Sequence, residues 1–271
     1  MQTTKWKIVA FITILLCLLL FSTTVFAADE DVTSSFKDEN LKNAILEIIR
    51  DVEENESKNN ITMSDIDKIT SDDLPSGKQL NLAGKDITDL SGIELFADKG
   101  IEWIYLDWNN ISDMSVLSSF TTLTKISASG NQVSDISFLR NLTNLQNINF
   151  SNNNISNIRI LQYLTNLKYL YLDNNQIQDI SPIGNLNSLR ELSIAGNKIT
   201  DASMLTGLTS LENLDISRNS ISTIVNFKNN TSIEKLNLNY NNLQSLQGIE
   251  NITNLSILSA SNNEIYDISK L

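Results

Sequence analysis

Apolar residues return along this chain with a fixed period. Ile101, Leu123, Leu145, Leu167, Leu189, Leu211, Ile233 and Leu255 each stand 22 positions after the one before, and seven complete units run without a gap from Ile101 to Asn254. The unit that opens at Leu167 reads Leu-x-x-Leu-x-Leu-x-x-Asn-x-Ile, with further apolar positions at Ile180, Ile183 and Leu186. In an extended segment, apolar residues two apart share one face, so Leu-x-Leu predicts one short strand per unit. Stacked units would pair those strands into a parallel sheet with a spacing of about 4.8 Å. No unit can bury its apolar face alone; its neighbours do that. The second half of each unit, such as 181–186 or 203–208, is too brief for a long helix and predicts 3₁₀ or single helical turns on the convex side. The fold expected is an α/β solenoid, a curved right-handed stack with the sheet on its concave side.

The pattern loosens at both ends. Residues 77–100 form a longer unit carrying Leu80, Leu82, Ile87, Leu90 and Ile93, with Lys85 where an asparagine is due. A last unit begins after Asn254 and stops at Leu271. Its core positions Leu258, Ile265 and Ile268 are expected to be exposed, with fraying of that unit. The solenoid thus spans 77–271 in about nine repeats.

One polar position keeps the same phase as the leucines: Asn109, Asn131, Asn153, Asn175, Asn197, Asn219, Asn241 and Asn263. A carboxamide both donates and accepts. Such a side chain can bond the backbone of the turn below and of the turn above, satisfying groups that a tight bend leaves unpaired. A structural asparagine ladder is therefore expected.

Upstream of the repeats the chain changes character. Residues 29–76 hold 14 acidic and 5 basic side chains. Leu41, Ala44, Ile45, Ile48, Ile49 and Val52 follow helical spacing, and Thr62 with Asp65 three residues on predicts the capping box of a second, short helix. Residues 28–76 read as an acidic helical cap over the open end of the solenoid. Before them, Lys5 and Lys7 precede an apolar run over 8–21, and Val25-Phe26-Ala27 offers small residues to a peptidase. Residues 1–27 read as a secretory signal, too short in its apolar part for a bilayer span.

Composition removes whole classes of function. The net charge of -12 opposes binding to nucleic acid. The chain has no histidine, and its one cysteine, Cys17, lies inside the leader. The usual general base, zinc ligand and triad member are missing. No catalytic residue, metal site or cofactor is expected.

The 22-residue unit, the phrases Asp135-Ile-Ser, Asp179-Ile-Ser-Pro and Leu164-Thr-Asn-Leu, and the acidic helical cap resemble those of the internalins, leucine-rich-repeat proteins of Gram-positive bacteria. The resemblance covers nearly all of the chain after the leader. It implies an exported protein whose concave strand face binds a host or other cell-surface protein, in adhesion or as a virulence effector. Longer members carry an immunoglobulin-like domain and a wall-sorting signal after the repeats. Neither is read here, so the expectation is a secreted monomer, at most loosely associated with the cell surface, with no transmembrane anchor once the signal is cleaved. The cap of the family resembles an EF-hand. In that register Glu54, Glu56, Lys58 and Asp65 fall at ligand positions, but Lys58 is a cation and Asn59 stands where glycine should make the turn. No calcium is expected.

The residues between the core leucines should face the concave side. In the unit at Ile101 these are Trp103, Tyr105, Asp107 and Trp108; at Leu167 they are Tyr169, Tyr171 and Asp173; further on come Glu191, Asp215, Arg218, Lys235 and Tyr240. Trp, Tyr and Arg are enriched at binding hot spots. Between the two aromatic groups lies a polar floor of Ser127, Ser129, Asn149 and Ser151. A protein partner is the first reading; a carbohydrate or cell-wall ligand, which aromatic faces also suit, is the alternative.

Overall fold

The structure is a computed structural model and describes residues 29–69, 78–224, 227 and 229–268. The leader expected over 1–27, the cap's final stretch, 70–76, and the first residue of the expected solenoid, Gly77, lie outside the described residues.

One parallel sheet of nine strands forms the concave face, with the strands in sequence order. They are β1 (Gln79–Asn81), β2 (Trp103–Tyr105), β3 (Lys125–Ser127), β4 (Asn147–Asn149), β5 (Tyr169–Tyr171), β6 (Glu191–Ser193), β7 (Asn213–Asp215), β8 (Lys235–Asn237) and β9 (Ile257–Ser259). The register follows the sequence period: Gln79 pairs with Trp103 across the long first unit, and Trp103 pairs with Lys125 22 residues on. The chain is an α/β leucine-rich-repeat solenoid.

Short 3₁₀ turns return the chain along the convex side, among them Ser115–Ser119, Ser137–Asn141, Arg159–Tyr163 and Ser203–Gly207. Asp-x-Ser phrases start several of these turns, and Asn157 starts Arg159–Tyr163 in the same way by accepting the Arg159 N–H at 3.0 Å. Asp113, Asp135, Asp179 and Asp201 each accept the backbone N–H two residues on at 2.8 Å, an Asx turn that fixes the corner. Between strands and turns runs a continuous core of buried Leu, Ile and Phe side chains, from Val32 in the cap to Ile252. In the last unit Leu258 and Ile265 are partly buried against that core, while Ile268 is exposed.

All eight ladder asparagines bond backbone, but not in the way expected. Asn131 accepts the Ile111 N–H at 3.0 Å and donates to the carbonyls of Leu106 (2.9 Å) and Ala128 (3.1 Å). Ile111 and Leu106 belong to the preceding turn and Ala128 to its own. The ladder reaches backward and never forward. The reason is geometric: the carboxamide points at one neighbour, and the next asparagine spans the next gap. Hence the first unit can do without an asparagine. Asn109 of the second unit accepts from the N–H groups of Lys85 and Ile87 and donates to the Leu82 carbonyl.

Asn230 is a further polar residue in the core. It stands 22 residues after Leu208, at a leucine position, and is fully buried. Its Nδ2 donates to the carbonyls of Leu205 and Leu208, both at 2.9 Å, but its Oδ1 has no partner.

The cap consists of α1 (Glu39–Glu53) and α2 (Met63–Ile69). α1 buries Leu41, Ala44, Ile45, Leu46 and Ile49. Val52, expected on the buried face, is exposed in the last turn, and Leu46 takes its share of the packing. Thr62 and Asp65 make the reciprocal capping box of α2, with the Thr62 N–H at 2.8 Å from Asp65 Oδ2 and the Asp65 N–H at 3.4 Å from Thr62 Oγ1. Lys58 lies between Glu53 (3.2 Å) and Asp65 (2.7 Å), so a side-chain ammonium fills the acidic loop.

Asp38 fastens cap to solenoid. Its Oδ1 accepts the N–H groups of Asn40 and Leu41 at the start of α1, and its Oδ2 accepts the Thr88 N–H and hydroxyl and the Asp89 N–H. Burial pushes its carboxyl up, but the hydrogen bonds from Thr88, Leu41 and Asp89 outweigh that and hold it at about 2. The folded value lies below the ordinary 3.8. The stabilisation is therefore fully present above the unfolded value and is lost as pH falls from about 5 towards 2. Asp38→Ala is expected to cost about 2 kcal/mol at pH 7, and the gap to the unsubstituted protein should close on acidification. Urea unfolding at pH 7 and pH 2.5 measures both; a gap independent of pH would refute the role given to the carboxylate.

Candidate binding face

The sheet's pleat turns alternate side chains of every strand onto the concave side. On β2 this exposes Trp103 and part of Tyr105 while Ile104 is buried. Trp103 is 44% exposed and Trp108 66%, the latter at the corner where the strand ends. The Lys125 ammonium lies 4.9 Å from the centre of the Tyr105 ring, a cation–π contact from the next strand. The Trp108 indole covers Gly130 so closely that a Cβ there would lie 2.5 Å from the ring.

On β5, Tyr169 is exposed and Tyr171 half-buried. Burial first, and then the Glu191 carboxylate, push the Tyr171 hydroxyl up to about 12. Tyr171, Asp173, Glu191, Asp215, Lys235 and Ile257 line a shallow hollow of about 470 Å³ in the C-terminal half of the face. The Arg218 guanidinium lies 4.5 Å from the centre of the Tyr240 ring.

The carboxylates have work of another kind. Asp107 Oδ1 accepts the Ser127 hydroxyl (2.7 Å) and the Ser129 N–H (2.9 Å), and Asp173 Oδ1 accepts the Ser193 hydroxyl (2.6 Å) and the Ala195 N–H (2.8 Å). Each clamps its turn to the next one. Asp215 accepts its own Ser217 N–H and the Asn237 amide. Burial pushes the Asp173 carboxyl up despite the hydrogen bonds it accepts. Asp107, Asp173 and Asp215 thus stand on the concave face as braces between turns, and the groups left exposed are Trp103, Trp108, Tyr169, Arg218, Lys235 and Tyr240. The sequence holds the signal for this in retrospect. Asp107 and Asp173 occupy the same place in the unit, and each is followed 20 residues later by a serine.

Ser127, Ser129 and Ser151 are buried, which makes the floor between the aromatic groups flat. Among the described residues no group of His, Cys, Asp and Glu is arranged to hold a metal ion, and no helix is long and apolar enough to cross a membrane.

A family model of leucine-rich repeats, two copies, matches residues 143–185 and 187–229. Comparison with curated protein sequences finds no match. Among solved structures, an internalin (inlF) of Listeria monocytogenes is similar, with 28% identity over 91% of this chain and 76% of that chain and a TM-score of 0.71. Internalin C2 of the same species matches 87% of this chain and 98% of its own at 25% identity, TM-score 0.75. The functional domain of InlJ, also from Listeria monocytogenes, matches 88% of this chain and 49% of its own at 25% identity, TM-score 0.73. The fold is internalin-like.

Proposed function

We propose that this internalin-like solenoid is an exported protein-binding module that holds a host or other cell-surface protein on its concave face, in adhesion or as a virulence effector. The observation that carries the reading is the exposed aromatic group on and beside β2: Trp103 and Trp108 lie open to solvent, with Tyr105 on the same strand and Lys125 of the next strand over its ring. An interface gains from such residues because they bring large apolar area at little entropic cost. Export rests on the basic, apolar and small-residue pattern of residues 1–27. The protein acts as a scaffold without chemistry: histidine is absent from the sequence, and the concave hollow is shallow and open.

The triple variant Trp103→Ala/Tyr105→Ala/Trp108→Ala is expected to lose at least about 100-fold in affinity, since hot-spot truncations cost about 2 kcal/mol or more each and are not fully additive. Binding of the immobilised protein to trypsin-sensitive proteins on intact cells, against binding to a glycan array, measures this. Unchanged binding by the triple variant, or binding to glycans alone, would reject the proposal.

A further inference from the structure

Each of the nine turns places one residue in the left-handed region, directly before the ladder asparagine or, in the first turn, before Lys85. The φ values are 65° at Gly84, 56° at Trp108, 71° at Gly130, 56° at Asn152, 53° at Asn174, 66° at Gly196, 54° at Arg218, 56° at Tyr240 and 58° at Asn262. The repeat imposes this conformation. From Gly84 to Tyr240 the N–H of each such residue bonds the carbonyl of the following turn, as from Trp108 to Ser129 (2.7 Å) and from Arg218 to Asn239 (2.8 Å). Glycine, asparagine and aspartate tolerate the region, whereas other L-residues pay for it in steric strain. Six of these corners use a tolerant residue; Trp108, Arg218 and Tyr240 do not.

These three side chains do not recover that cost by burial. Trp108 is 66% and Tyr240 47% exposed, and Arg218 is exposed and in no ion pair among the described residues. Strain retained for side chains this open to solvent points to use at the surface. Resting on the protein-binding reading above, we infer that the left-handed corners form a recognition ridge with two anchors, Trp108 at one end and the Arg218–Tyr240 pair at the other. Five turns separate them, about 24 Å at the usual strand spacing. Between them Gly130, Asn152, Asn174 and Gly196 keep the ridge low. The Asn174 amide donates to Asn152 Oδ1 at 2.9 Å and leans so close to Gly196 that a Cβ there would lie 2.4 Å from its oxygen. The ridge is a saddle, and its occupant is a folded protein surface that spans both ends. That surface sets an apolar group on the Trp108 indole. Against Arg218, whose guanidinium carbon lies 4.5 Å from the centre of the Tyr240 ring, it sets a carboxylate, which a guanidinium edge meets with two parallel hydrogen bonds.

The test replaces each anchor by the residue its corner favours. Trp108→Asn and the double variant Arg218→Asn/Tyr240→Asn should fold at least as well as the unsubstituted protein, with the folding equilibrium constant raised up to about fivefold per corner in urea titrations. The probe is the biotin-labelled protein fraction released by mild detergent from the surface of cultured animal cells, with the same fraction digested by trypsin as the blank. Each variant should retain at least tenfold less of it, while Arg159→Asn on the convex side retains as much as the unsubstituted protein. Amidation of the probe's carboxylates should remove the part that depends on Arg218. A fall in stability would make the three residues structural and overturn the ridge. Full retention by either variant, or indifference to amidation, would overturn it while leaving the protein-binding reading intact. No retention above the blank by the unsubstituted protein would overturn both.

Discussion

Asn153→Ala should destabilise the solenoid by about 3–4 kcal/mol, although the residue touches neither terminus nor the concave surface. Asn153 Oδ1 is the acceptor for the Val133 N–H at 2.9 Å, and its Nδ2 donates to the carbonyls of Ala128 (2.9 Å) and Phe150 (3.1 Å). Those two carbonyls keep a second donor, because Asn131 also bonds Ala128 and Asn175 also bonds Phe150. The Val133 N–H keeps none, and a buried orphan of that kind costs about 1–3 kcal/mol. Each weakened carbonyl adds about 0.5–1.5 kcal/mol. Asn153→Asp supplies a sharper control. It preserves the acceptor for Val133 but removes both donors and buries a charge, so its cost should be larger than alanine's at pH 7 and should shrink in acid, where the protonated carboxyl donates once. Chemical unfolding of the two variants across pH decides the matter. A loss below about 1 kcal/mol for Asn153→Ala would mean that the ladder carries far less than its geometry implies.

The second large effect belongs to Phe150→Ala, with an expected cost of about 4 kcal/mol. Phe150 is fully buried at a core position that Ala128 holds one turn earlier and Leu172 one turn later. A large side chain next to a small one fills the layer without strain. Phe150 also meets Phe138 edge to face, with ring centres 6.4 Å apart and planes at 75°, an arrangement worth about 0.5–1.5 kcal/mol beyond the buried area. Because each repeat contacts only its neighbours, the cavity would weaken the joints around β4 more than those near β8. Hydrogen exchange should therefore open first between β3 and β5, before global unfolding. Phe150→Leu restores a residue the position takes elsewhere and should return most of the stability. Equal protection loss along the whole chain would contradict this one-dimensional account of cooperativity.

The two predictions separate what is local from what is shared. The strands, the period and the phase of the asparagines follow from side-chain alternation and from one repeated unit, so they are legible in the residues themselves. The Asx corners are legible too: aspartate two residues before serine caps the convex turns at Asp113, Asp135, Asp179 and Asp201. The cap helix is legible in its spacing, apart from the exchange of Val52 for Leu46, which depends on where the solenoid's end lies against α1.

The candidate binding face divides along the same line. Its aromatic residues can be placed on the concave side from alternation alone. Which of its polar residues remain open to a partner cannot, because the clamps of Asp107 and Asp173 join residues about one full repeat apart. The same holds for Asp38, whose carboxylate joins α1 to residues 50 positions away, and for the backward reach of the ladder.

The sequence by itself thus determined the repeat, the concave sheet, the asparagine positions and the lack of the usual catalytic groups, since periodicity and composition are properties of the chain. Only the tertiary structure decided the direction of the ladder, the occupation of the acidic side chains and the strain at Trp108, Arg218 and Tyr240. Those depend on how one turn sits upon the next, and a left-handed φ is imposed on a residue by its neighbours in the stack whatever its own preference.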